Sequence, residues 1–180
     1  MKAHIFREYD IRGTFPDELN REVAQRLGLA VGTYYQERDV ISISVGHDCR
    51  LSSPGLAEGL IEGLVESGMT VLDVGMVPTP LLYFSIHHLD VGGGVQITGS
   101  HNPPEFNGFK ICLGEFSIYG EEIQKVRQII ESGDFRRAKG RREEAEVVDA
   151  YLGYLKENIK TGPYKRKVAV SYTHLTLPTN

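Results

Sequence analysis

The 180-residue chain contains no tryptophan, only three methionines and two cysteines, and no apolar run near the ~18 residues that a bilayer span requires. Cys49 and Cys112 lie far apart with no CxxC pair, so neither a disulfide framework nor a zinc cage is suggested. Both are expected to be buried free thiols. A large excess of one charge is also missing: 20 Lys+Arg against 24 Asp+Glu leave a net charge of -4. No polyanionic partner is therefore expected, neither nucleic acid nor a membrane surface, and any bound anion must be held locally. The opening MKAHIFREYDIRG puts Arg7, Glu8, Asp10 and Arg12 where a secretory leader needs apolar residues, so the expectation is a soluble, cytoplasmic protein. What the chain does have is 41% hydrophobic residues, enough at this length to bury one real core.

Hydrophobic spacing predicts repeated strand–helix units. Asp17 can cap a helix through Gln36 that carries Leu19, Val23, Leu27 and Val31 at near-helical spacing. The β-branched run 40–45 reads as a strand that breaks at Gly46. Ser53-Pro54 opens a second helix with the stripe Leu56, Leu60, Ile61, Leu64 and Val65, ending near Gly68. A strand at 70–74, a helix at 81–88 and a short strand at 95–97 follow, and then 109–113 alternates as a half-buried return strand. Gly120 precedes a further helix. This order predicts a layered α/β/α domain with a mixed, mostly parallel sheet. Residues 133–146 hold Arg136, Arg137, Lys139, Arg141 and Arg142 followed by Glu143, Glu144 and Glu146, and read as a solvated boundary. A helix at 148–159 and a strand at 167–170 begin a second unit.

The segment Thr98-Gly99-Ser100-His101-Asn102-Pro103-Pro104 leaves a buried strand and offers one hydroxyl among small and polar residues. Turn chemistry alone accounts for such a composition. The combination nevertheless suits phosphoryl transfer: Gly99 admits close approach, His101 and Asn102 bring donors for an anion, and the two prolines restrict the loop. Lys110 can swing back to that hydroxyl, or it can be an ordinary strand-surface lysine. A serine hydrolase is disfavoured, because Ser100 and His101 are adjacent and no GxSxG elbow surrounds the serine. His47 and Asp48 fit a satisfied turn better than a metal site.

The stretch TGSHNPPEFNGFK at 98–110 resembles the active-site serine loop of the α-D-phosphohexomutases. FREYDIRG at 6–13 and GHDCRLSSP at 46–54 resemble the same family, and DVGMVPTPLLYF at 73–84 fits its phosphomannomutase/phosphoglucomutase branch. The resemblance implies a phosphoserine at Ser100, flanked by His101 and Asn102, that passes its phosphate to a hexose phosphate and recovers one from a bisphosphorylated intermediate. It implies Lys110 as general acid/base, with Tyr9 and Arg12 lining the cleft and Arg12 contacting phosphate. From the residues alone, Arg12 beside Asp10 fits a structural ion pair equally well. Mg²⁺ is implied at the Ser100 phosphate, together with aspartates of a second-domain DGDxDR motif that this sequence lacks. A hexose 1,6-bisphosphate is implied as activator.

The expected organisation is a phosphoserine-bearing first domain over 1–145, a linker helix and first strand of a truncated second domain over 146–170, and a non-native tail over 171–180. The resemblance requires a VDxGNG-like continuation after Val170, and SYTHLTLPTN stands there instead. The expected activity is interconversion of mannose or glucose 1- and 6-phosphates, with this portion inactive alone. The alternatives are a phosphoglucosamine mutase portion and a non-catalytic anion-binding module.

Overall fold

The computed structural model describes residues 1–160 and Gly162, so the strand expected at 167–170 and the tail at 171–180 lie outside the described residues. In chain order the elements are β1 (Ile11–Thr14), α1 (Arg21–Gln36), β2 (Ser42–His47), α2 (Ser53–Ser67), β3 (Thr70–Met76), α3 (Thr79–His88) and β4 (Gly93–Ile97). They continue with β5 (Phe106–Leu113), β6 (Phe116–Ser117), α4 (Glu121–Ser132), β7 (Arg141–Glu144) and α5 (Val148–Asn158). The sheet order is β1-β5-β4-β2-β3-β7, with β6 beside β5. Strands β4, β2, β3 and β7 run parallel, while β5 returns antiparallel to both β4 and β1, so the sheet is mixed as expected.

Pleat alternation sets the layers. On β2, Ile43 and Val45 join the main core with Leu27, Val31, Leu60, Leu64 and Val126, which come from α1, α2 and α4. The residue between them, Ser44, faces the opposite side, where its Oγ accepts a hydrogen bond from Ser85 of α3 at 2.8 Å. Helices α1, α2 and α4 thus cover one face and α3 the other. Tyr35, fully buried on α1, donates its hydroxyl to the Cys112 carbonyl of β5 at 2.6 Å, and its burial pushes the phenol pKa well above the ordinary value.

Three expectations are corrected. Asp17 does not cap α1: the amides of Glu18 and Leu19 both bond back to the Thr14 carbonyl, so 15–19 is a tight turn. Asn20 is the cap, its side chain accepting from the Val23 amide at 3.0 Å. Gly46 does not end β2, which slips register between Val45 and Gly46 and continues to His47. Cys49 is exposed in the turn after β2, whereas Cys112 is buried. The charged segment 133–146 is solvated, yet it contains β7, whose four exposed side chains carry no alternating signal because only its backbone pairs with β3. Arg142 there is held by Glu58 and Asp73, at 2.9 and 2.6 Å.

Candidate active site

Strand β4 stops at Ile97, and the chain turns through residues 98–105 before β5 brings it back. The Thr98 amide still bonds to the Gly108 carbonyl at 3.0 Å, so the loop springs from a paired base. Beyond it Ser100 takes φ +52°, a left-handed conformation that costs a serine roughly 1–2 kcal/mol. The strain is held by local bonds: the Ser100 amide donates to Thr98 Oγ1 at 2.9 Å, and the Asn102 amide and Nδ2 both donate to the Gly99 carbonyl, at 3.0 and 3.2 Å. Ser100 and His101 are exposed. Contrary to the expectation for neighbours in sequence, the left-handed turn brings Ser100 Oγ within 3.3 Å of His101 Nδ1. Among the described residues no carboxylate bonds the His101 ring, so no triad forms.

Beside this loop Arg12 is only 5% exposed. Its Nη1 donates to the Gly99 carbonyl at 3.1 Å and its Nη2 to Asp10 Oδ2 at 2.5 Å. Lys110 Nζ lies 3.5 Å from the same Asp10 oxygen. The geometry follows from register: Arg12 on β1 pairs with Gly108 on β5, and Lys110 two residues on returns to the same face. Arg12 therefore both pairs with Asp10 and touches the serine loop, and Lys110 is tied to that cluster. Tyr9 stands apart, 70% exposed with its ring centroid 6.4 Å from that of Tyr119.

Sequence reasoning named Asp10 only as an ion-pair partner of Arg12, a pair the structure contains, and did not single out Arg50. The turn after β2 runs beside the serine loop because β2 and β4 are parallel neighbours whose carboxyl ends emerge together. Asp48 Oδ2 accepts the Gly99 amide at 3.1 Å, and its Oδ1 accepts the Arg50 amide at 3.0 Å and the Ser53 hydroxyl at 2.5 Å. Burial pushes the Asp48 pKa up, but hydrogen bonds from Ser53, Arg50, Thr98 and Gly99 outweigh it and leave the carboxyl below its ordinary value. The Arg50 guanidinium lies against Gly99, where any Cβ would overlap it. Only the strand order could have signalled this, since the two turns are 50 residues apart.

A mixed sheet between helix layers is the α/β/α architecture expected from the sequence, and it carries a strained serine loop at the carboxyl end of β4 with an arginine and a lysine around one aspartate beside it. The model for "Phosphoglucomutase/phosphomannomutase, alpha/beta/alpha domain I" matches residues 3–137, and the chain belongs to that family. It is 43% identical over 159 residues to a phosphomannomutase/phosphoglucomutase of Pseudomonas aeruginosa, covering 88% of this chain and 34% of that protein. It is 42% identical over 158 residues to a phosphoglucomutase of Neisseria meningitidis serogroup B, covering 87% and 34%. The crystal structure of a phosphoglucomutase/phosphomannomutase family protein from Burkholderia thailandensis superimposes with a TM-score of 0.85 at 37% identity, over 89% of this chain and 37% of that one. The chain thus spans about a third of the length of the curated relatives it matches.

Proposed function

We propose that this chain supplies the phosphoserine domain of a phosphohexomutase that interconverts mannose or glucose 1-phosphate with the 6-phosphate. The observation that carries the reading is Ser100, exposed at φ +52° on a loop braced by Arg12, Asp48 and Arg50. Phosphoryl transfer depends on position and charge more than on covalent chemistry, and a fixed, accessible hydroxyl beside cations meets that need. In the first step the bond from phosphorus to Ser100 Oγ breaks as a sugar hydroxyl takes the phosphoryl group and passes its proton to water, which returns one to the sugar oxygen freed in the second step. The bisphosphate then turns and returns its other phosphoryl group to Oγ. Lys110 gives Oγ a proton in the first step and removes it in the second, with Asp10 holding the ammonium near the loop. His101 and Asn102 flank the group, Arg12 meets phosphate, and Tyr9 borders the sugar side. The relatives' names favour a hexose over a glucosamine substrate.

Among the described residues no group of three His, Cys, Asp or Glu side chains could hold a metal ion. The described residues by themselves thus do not complete an Mg²⁺ site. A phosphate on Ser100 offers hard oxygen ligands, and any further ligands would come from outside the described residues. The test is the full-length protein incubated with hexose phosphates and a hexose 1,6-bisphosphate. Mass spectrometry should find phosphate on Ser100, and Ser100→Ala should lower turnover at least about a thousandfold. Ordinary turnover in that variant would overturn the assignment. Binding of hexose phosphates with no turnover by the parent would favour the anion-binding module.

A further inference from the structure

Arg50 sits 50 residues before Ser100, yet its guanidinium is committed to the serine loop. Nη1 donates to the Pro103 carbonyl at 2.7 Å and the Phe106 carbonyl at 2.9 Å. Nη2 donates to the Asn102 carbonyl at 2.6 Å and the Ser100 carbonyl at 3.2 Å. Nε faces Asp48 Oδ2 at 3.5 Å. An arginine has five N–H groups, and here four reach loop carbonyls while the fifth faces a carboxylate. No donor is left for a phosphate. The side chain is only 17% exposed, so these bonds are partly shielded from water.

The loop needs such a partner. Pro103 and Pro104 bring no backbone N–H, and carbonyls that leave the sheet ladder must be satisfied by other groups. Asp48 completes the clasp from the other side by accepting the Gly99 amide. A trans peptide points its C=O and N–H in opposite directions, so turning the Ser100 carbonyl toward Arg50 turns the His101 N–H away from it. A lysine, with one point of charge and no planar fork, cannot span four carbonyls.

We infer that Arg50, working with Asp48, is a positioning residue that clamps the Ser100 loop in its left-handed, transfer-ready conformation without touching substrate. The inference rests on the proposed role of Ser100. Two variants test it: Arg50→Lys, which keeps the charge, and Gly99→Ala, whose new methyl displaces the guanidinium. In this chain the Gly99, Ser100, Asn102 and Phe106 amides each have an acceptor, so their hydrogen exchange reads the loop directly. Exchange at these four should quicken at least about tenfold in both variants, with the amides of α1 and α2 unchanged. In the full-length protein, kcat for a hexose phosphate should fall by about a hundredfold while KM stays within about threefold. A rise in KM at constant kcat would overturn the inference, because it would make Arg50 a phosphate ligand. Unchanged loop exchange would overturn it too. A parent protein that turns over no hexose phosphate would sink the proposed function, and the exchange comparison would still decide whether Arg50 holds the loop.

Discussion

At the scale of single residues, the left-handed Ser100 separates chemistry from stability. Ser100→Ala and Ser100→Gly both remove the hydroxyl, but glycine adopts φ +52° without the Cβ clash. Ser100→Gly is therefore expected to be more stable than Ser100→Ala by about 1 kcal/mol, measured as the difference in urea unfolding midpoints at equal slope. Glu18 makes a second test. Its carboxylate accepts the Thr14 amide at 3.0 Å, His4 Nε2 at 2.6 Å and Lys2 Nζ at 3.2 Å, and these bonds, the Thr14 amide foremost, pull its pKa from 4.5 to about 2. A carboxylate whose pKa is lowered by folding contributes stability that is fully present above its unfolded value and is lost as pH falls toward the folded one. Between about pH 4.5 and pH 2 the parent should lose more thermal stability than Glu18→Gln, and equal losses in calorimetric scans would contradict this. Ser100 stood out in the sequence because a loop of Gly, Ser, Asn and Pro after a buried strand is a local signal, whereas the residues alone left Lys110 open between reaching that hydroxyl and lying on the strand surface. Arg50 did not stand out, because its partners are remote in the chain.

At the scale of elements, α1 and α2 pack with backbone close against backbone. A Cβ on Gly28 would collide with the Leu60 carbonyl, and one on Gly63 with the Gln25 carbonyl and the Leu29 amide. These obstacles are backbone atoms, which cannot swing aside as a side-chain tip would. Gly63→Ala gains up to ~1 kcal/mol in helix propensity but forces the helices apart, a cost of roughly 1–3 kcal/mol or more that should win. Gly55, at the exposed start of α2 with open space for 4 Å around the point a Cβ would take, is the control: Gly55→Ala should be neutral or stabilising. Thermal denaturation of both variants checks the pair. The helices α2, α3 and α4 were legible in the sequence from their stripes and their Pro and Gly boundaries. The start of α1 was not, since Asp17 and Asn20 are both good caps and only the turn onto Thr14 decides between them. Strand β7 was hidden because four charged residues on an edge carry neither alternation nor hydrophobicity.

At the scale of the whole molecule, the core is uneven. The sheet and α1, α2 and α4 share one continuous apolar cluster, while α5 buries none of its residues and rests on α3 through Tyr151 and Tyr154, whose rings stand 5.2 and 5.6 Å from that of Phe84. A helix of 11 residues is marginal without tertiary burial. Amides of α5 should therefore exchange at least about a hundredfold faster than those of α1 and α2, and equal protection would show that its contacts are stronger than they look. No helix among the described residues is long and apolar enough to cross a membrane. The sequence by itself determined the alternation of strands and helices, the mixed sheet and the place of the serine loop after a buried strand, because periodicity, turn residues and a contiguous motif are all local along the chain. Only the tertiary structure decided that Arg12 and Lys110 share Asp10 and that Arg50 grips the loop from the next strand's turn. Those contacts depend on strand order and register, which place residues far apart in the chain within hydrogen-bonding distance.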